Sequence, residues 1–231
     1  MKAVFRARVR KLARPSLTYL PRPSRELVPE FLASFPPDTR ILNIGSGQTD
    51  YGAQVVNLDI EPGKHVQVVA KAEDLPFEDG TFSGVLLLAV LEHVADAKLT
   101  LSEIRRVLCP DGALLVAIPF IQGYHPAPLD RRRFTREGLQ AELEQEGFVV
   151  DATGLVNGPA SAMAWVTAEF LALLVSGRSR RMHRVALSAT SWIALPIKYL
   201  DPWLIRHEMA EVIASGVWAR ARRRKTDVDE V

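Results

Sequence analysis

Ile41-Leu42-Asn43-Ile44-Gly45-Ser46-Gly47 is the stretch whose reading decides the fold. A short apolar run, Arg40–Ile44, enters a glycine turn, which is the pattern of a buried strand followed by a tight loop. Glycines let the backbone pass close to a ligand and take torsions barred to other residues. The turn offers no carboxylate to hold a ribose, so the next strand must supply one. That strand is Val55–Ile60, and Asp59 stands near its end. In open parallel sheets a ligand lies across the carboxyl ends of the strands. A carboxylate there can accept both ribose hydroxyls of an adenosine. A glycine turn alone reads equally well as a tight turn with nothing bound; its pairing with Asp59 points to a nucleoside site.

Outward from this stretch the pattern stays regular. His65–Val69, Gly84–Ala89, Ala113–Ile118 and Phe148–Ala152 read as further strands. Helical spacing marks Ser24–Phe35, Ala97–Leu108 and Thr135–Glu146, the last with Thr135 as cap and Gly147 as stop. Pro110-Asp111-Gly112 reads as a turn. Strands alternating with helices predict a parallel sheet covered on both faces. A dinucleotide fingerprint would ask for a third glycine where Asp50 stands. An acid at that mouth repels a pyrophosphate but tolerates a sulfonium, which favours S-adenosylmethionine (SAM) over NAD.

Ala72-Glu73-Asp74-Leu75-Pro76-Phe77-Glu78-Asp79-Gly80-Thr81-Phe82, then Leu91-Glu92-His93-Val94, then Glu103 to Gly112, follow in order. Together they resemble the class I SAM-dependent methyltransferases of the broad small-molecule type, over about residues 38 to 153. The resemblance implies roles. Asn43, Gly45, Ser46 and Gly47 would surround the methionine and ribose part, and Asp59 would bind the ribose hydroxyls. Ile60 would pack on the adenine, with Ala72 and Glu73 along its edge, and Ala89 to Leu91 would line the methionine end. Three positions depart from the family pattern: Asn43 where many relatives carry an acid, Lys71 where many carry Asp, and Ser83 where Asp is usual.

Methyl transfer needs an aligned nucleophile and often a proton acceptor. His93, after the fourth strand, is a candidate base, or else a structural histidine capping the next helix. His125 and Asp130 lie in the proline-bounded loop after the fifth strand, ahead of Arg131-Arg132-Arg133. This loop reads either as an acceptor site or as a rigid lid in which Asp130 pairs with Arg133. The arginines could also hold a phosphate or carboxylate of the acceptor. No metal ligand is read from the sequence.

The composition is that of an ordinary globular protein: 231 residues, 48% hydrophobic and 24% charged. One cysteine, Cys109, cannot form an internal disulfide and points to a reducing, cytoplasmic setting. The net charge of +2 hides basic clusters at 1–25, at Arg178 to Arg184 and at Arg220 to Lys225. Pro159–Val175 holds one charge, Glu169, and Val185–Ile205 is apolar but broken by Pro196 and Pro202. Trp165, Trp192, Tyr199 and Trp203 punctuate these stretches, a composition that suits a membrane interface. A helical cap over the acceptor, or a homodimer face, is the other reading.

The expected fold is α/β: a doubly wound, mostly parallel seven-stranded class I methyltransferase sheet with an apolar helical insertion before the last strand. The expected organisation is a basic arm at 1–25, a SAM-binding core at 26–154, the insertion at 155–210, and a last strand and basic tail at 211–231. Glu211–Arg222 is expected to close the sheet as an antiparallel strand. The expected function is SAM-dependent methylation of a small or lipid-linked acceptor, at or near an anionic membrane surface. The alternatives are a non-catalytic SAM-binding or membrane-attached protein on the same scaffold, and an RNA methyltransferase. No RNA-binding module is visible, so a nucleic-acid partner ranks last.

Overall fold

The computed structural model describes residues 14–126 and 129–224. The basic residues expected within 1–13, Ala127 and Pro128 of the proline-bounded loop, and Lys225 lie outside the described residues. In chain order the elements are α1 (Arg22–Ala33), β1 (Ile41–Ile44), β2 (Val55–Asp59), β3 (Val68–Val69) and β4 (Phe82–Leu88). Next come α2 (Ala97–Val107), β5 (Leu108–Pro119), α3 (Arg136–Gln145) and β6 (Phe148–Asn157). α4 (Pro159–Ser176), α5 (Arg180–Ala194), a 3-10 segment (Leu195–Leu200), α6 (Asp201–Leu204) and β7 (Gly216–Arg223) complete the chain.

The strands form a seven-stranded sheet in the order β3-β2-β1-β4-β5-β7-β6. β2, β1, β4 and β5 pair in parallel, with Asn43 opposite Asn57 and Leu86. The direction of β7 follows from its hydrogen bonds. Ser215, just before it, donates to Asn157 at the end of β6 and accepts from Phe120 just past β5. At its other end Arg224 donates to Gly147, before β6, and the Arg223 side chain reaches the Leu108 carbonyl at the start of β5. β7 is therefore antiparallel to both neighbours, as the last strand of the expected topology should be. It begins at Gly216 because Ala210–Ile213 winds into a 3-10 turn.

Three further boundaries differ from the sequence reading. Pro110-Asp111-Gly112 is not a turn between elements but a bulge inside β5. The register against β4 jumps from Phe82↔Leu108 to Gly84↔Ala113. Asp111 takes φ +61 at the jump, and a β-carbon on the following Gly112 would lie 2.8 Å from the Cys109 carbonyl oxygen. β6 runs on to Asn157, well past Ala152. β3 keeps only Val68–Val69 of the expected His65–Val69.

The chain divides into two compact units. One is Arg25–Pro119, His125–Gly154 and the residues from Val217 onward. β1 and β4 run through its centre, with Ile41, Leu42, Leu86 and Leu87 fully buried. Phe31 of α1 packs with Ile41, Val55, Leu86 and Leu115. α2 begins at an Asp96 cap, whose carboxylate accepts from the Leu99 amide at 3.0 Å. This cap excludes the reading in which His93 caps that helix.

The other unit holds residues up to Ser24, Phe120–Tyr124 and Leu155–Gly216. Its centre is the pairing of α4 with α5. The buried face of α4 is a stripe of small residues, Ala160, Ala164, Ala168 and Ala172, at four-residue spacing. Small side chains let the helices approach so closely that Thr190 Oγ1 donates to the Ala168 carbonyl at 2.8 Å. Asp201, fully buried, caps α4 from a distant part of the chain. Its carboxylate accepts from the Ala160 amide at 2.7 Å, the Ser161 amide at 3.1 Å, and the Ser161 hydroxyl. A negative charge at a helix N-terminus also complements the helix dipole.

Candidate functional site

Gly45 follows β1 directly and takes φ +67. A β-carbon there would lie 2.3 Å from Val90 Cγ2, so both torsion and space demand glycine. Gly47 takes φ +55, and nothing stands within 4 Å of where its β-carbon would be. Its amide donates to Asp59 Oδ2 at 2.8 Å, while Asp59 Oδ1 accepts from the Glu61 amide at 3.0 Å. The carboxylate at the end of β2 is thus braced against the glycine turn with open space beside it. Ile60, the next residue, is 55% exposed, an apolar side chain left uncovered.

The remaining predicted contacts divide. Ala89 takes φ +54, a strained torsion for a residue with a β-carbon, at the carboxyl end of β4. Ala72 is buried, and the Glu73 carboxylate accepts from the Ala95 amide at 2.8 Å, which ties the 72–73 edge to the turn after β4. Ser46 is buried, and its hydroxyl meets no hydrogen-bond partner among the described residues. Asn43 is buried. Its amide donates to Asn57 Oδ1 at 2.8 Å and joins β1 to β2. The acid-to-Asn departure is accommodated as a strand-to-strand link.

Sequence reasoning missed the brace beneath the 72–82 loop. Arg106 donates to the Leu75 and Phe77 carbonyls and pairs with Glu103 and Asp79. The Arg106 guanidinium holds the Glu103 carboxyl below its ordinary range.

His93, His125 and Asp130 come together. The two imidazoles stand edge to face with centroids 5.6 Å apart. His93 Nδ1 lies 2.6 Å from the Leu129 carbonyl. Asp130 pairs with the Arg133 guanidinium through both oxygens and also accepts from the His125 amide at 2.9 Å. That guanidinium holds the Asp130 carboxyl well below the usual range, so it stays ionised and occupied. Both Asp130 oxygens are thus engaged by protein groups. The Asp130–Arg133 pair expected of a rigid lid is present.

Arg132 donates to the Leu91, Val94 and Ala95 carbonyls and fastens this loop to the turn after β4. Two of the three arginines thus hold protein groups. Between the histidines lies Glu92, fully buried, which the sequence reading did not single out. His93 Nε2 and His125 Nε2 lie 3.7 and 3.9 Å from Glu92 Oε1. Burial pushes the Glu92 carboxyl up, and the charges of His93, His125 and Arg133 pull it back only in part.

Residues 44–116 match the family model described as a methyltransferase domain. The 2-methyl-6-phytyl-1,4-hydroquinone methyltransferase of Synechocystis is 28% identical over 166 residues, 58% of this chain and 52% of that protein. An O-methyltransferase of Aspergillus nomiae is 29% identical over 119 residues, 47% of this chain and 53% of that one. The chain thus spans about half the length of these curated relatives. Among solved structures, the 1,6-didemethyltoxoflavin-N1-methyltransferase of Burkholderia thailandensis superposes with a TM-score of 0.55. The match covers 92% of this chain and 80% of that one at 16% identity, which is a likeness of fold.

Proposed function

We propose that this chain, whose core is a class I methyltransferase domain, transfers the methyl group of SAM to a small-molecule or lipid-linked acceptor. The observation that carries the reading is the braced carboxylate of Asp59 beside the open flank of Gly47. Asp59 accepts the ribose hydroxyls, Ile60 covers the adenine, and Ala72 and Glu73 border its edge. Gly45, Ser46 and Gly47 let the backbone pass close to the methionine and ribose part. The strained Ala89 and the residues to Leu91 line the methionine end. Bound there, SAM supplies an electrophilic methyl group, and transfer is an in-line displacement whose rate depends on alignment. The Glu92, His93 and His125 cluster activates the acceptor, and Asp130 fixes His125.

Titration calorimetry with SAM and S-adenosylhomocysteine tests this. Charge-assisted hydrogen bonds contribute about 1.5–3 kcal/mol each. Asp59→Ala is therefore expected to weaken both ligands roughly 10- to 100-fold while the circular dichroism spectrum is kept. Wild-type chain that binds neither ligand, or binding indifferent to Asp59, overturns the reading. Binding without methyl transfer to any quinol, phenol or amine acceptor would leave a non-catalytic SAM-binding protein.

The setting we infer is the cytoplasmic face of a membrane. α4 is long and apolar enough, by length and composition, to cross a bilayer. It buries its small residues and exposes its large ones: Met163, Val166, Phe170, Leu173, Leu174 and Val175. A helix that hides alanines and shows phenylalanine and leucine presents its apolar face outward, the reverse of a soluble surface helix. Trp192, Tyr199 and Trp203 are exposed too, and Arg178, Arg180, Arg181 and Arg184 stand at the α4–α5 turn. Apolar, aromatic and cationic groups together fit an anionic lipid surface. The phytyl chain in the Synechocystis relative's name supports an acceptor with a hydrophobic tail.

A further inference from the structure

We propose that Glu92, His93 and His125 bind one divalent transition-metal cation of the zinc or iron(II) class. One ligand atom from each lies within 4.8 Å of the other two. Glu92 is fully buried, and neither of its carboxylate oxygens has a hydrogen-bond partner among the described residues. A buried carboxylate without partners is costly unless something positive faces it. Two imidazole Nε2 atoms face it, at 3.7 and 3.9 Å from Oε1, and the Arg133 charge acts on it from further off.

An outer contact orients the His93 ring for ligation. His93 Nδ1 lies 2.6 Å from the Leu129 carbonyl, which fixes the proton on that nitrogen and leaves the Nε2 lone pair toward Glu92. His125 Nδ1 lies 3.6 Å from Asp130 Oδ2, and Arg133 Nη2, held by the same carboxylate, is 3.5 Å away. His125 places its Nε2 3.9 Å from Glu92 Oε1. An imidazole that donates through one nitrogen to a carbonyl or carboxylate and ligates through the other is the usual outer-shell arrangement of metal-bound histidine.

The spacing fits. Ligand bonds of about 2.0–2.1 Å in a tetrahedral site place neighbouring ligand atoms roughly 3.3 Å apart. The two nitrogen–oxygen separations of 3.7 and 3.9 Å need shifts of only a few tenths of an ångström per atom, and all three ligand atoms lie within 4.8 Å of one another. Two imidazoles and one carboxylate suit zinc or iron(II) rather than magnesium or calcium, which take mainly oxygen ligands. Three protein ligands leave a coordination position open for water or an acceptor oxygen. The inference deepens the reading of the acceptor cluster, yet metal binding is measured without methyl transfer.

The test uses the full chain, free of any polyhistidine tag and stripped with a chelator. Zinc is titrated in competition with a chromophoric chelator, and cobalt(II) is followed by its visible absorption. One zinc per chain is expected, with cobalt bands of a nitrogen- and oxygen-ligated site. Affinity should fall at least roughly tenfold in Glu92→Gln, His93→Ala and His125→Ala, and stay unchanged in His65→Ala, outside the cluster. His125→Ala changes a loop residue, so it keeps the test usable if the buried Glu92 variant fails to fold. Absence of stoichiometric zinc binding, or binding that survives loss of both His93 and His125, overturns the site. S-adenosylhomocysteine binding on the same samples reports the cofactor site separately. A chain that binds it but no zinc refutes the metal site and leaves the methyltransferase reading intact.

Discussion

Gly45→Ala tests whether the glycine turn is built as the structure shows. Two costs add. The αL torsion at φ +67 costs an alanine about 1–2 kcal/mol. The new β-carbon would sit 2.3 Å from Val90 Cγ2, so Val90 must move by more than an ångström. Overpacking of that kind costs about 1–3 kcal/mol. The sum is about 2–5 kcal/mol. Gly47→Ala is the internal control: it takes φ +55 but has nothing within 4 Å, so only the backbone cost of about 1–2 kcal/mol remains. Urea unfolding followed by circular dichroism, with equal slopes, measures the difference. The double variant Gly45→Ala/Val90→Ala should regain about 1–3 kcal/mol relative to additivity, because the clash partner is gone. Gly45→Ala as stable as Gly47→Ala, or no recovery in the double variant, refutes the reasoning. Gly47→Ala should instead weaken S-adenosylhomocysteine, because its methyl enters the space beside Asp59.

Two further predictions concern the insertion. Asp201→Ala removes a buried cap that accepts from two amides and a hydroxyl, and should destabilise the helical unit by about 2–4 kcal/mol; urea titration should show earlier loss of helix with S-adenosylhomocysteine affinity unchanged. Flotation with phosphatidylglycerol vesicles should carry the chain upward, less so at high salt, and Phe170→Glu with Leu174→Glu should abolish it. Wild type left at the bottom of the gradient, or floated equally by the double variant, would overturn the membrane setting in favour of a cap or a homodimer face.

The parts of this fold that were legible from sequence are those carried by neighbouring residues. Ile41–Gly47 shows its strand and turn because apolar periodicity and glycine act locally, and Asp59 is found by asking what the turn lacks. Asp111 was misread because a turn and a bulge use the same residues; only pairing with β4 separates them. Glu92 was passed over because its meaning comes from His125, which the loop brings back across the sheet edge. Asp201 carries no local signal of a cap, because its role depends on where α4 begins. Asn43 was assigned by likeness, and its contact with Asn57 shows in the register of two strands rather than in either one.

The neck of the insertion has a consequence for engineering. Ser215 donates to the Asn157 carbonyl, so the chain leaves the sheet and returns to it at adjacent points. Everything between them is an excursion whose two ends already touch. A short hairpin in its place would close the same gap, since a loop's entropic cost grows only slowly with its length. The 158–214 segment can thus be treated as a cassette: exchanged or trimmed while β6 and β7 keep their register.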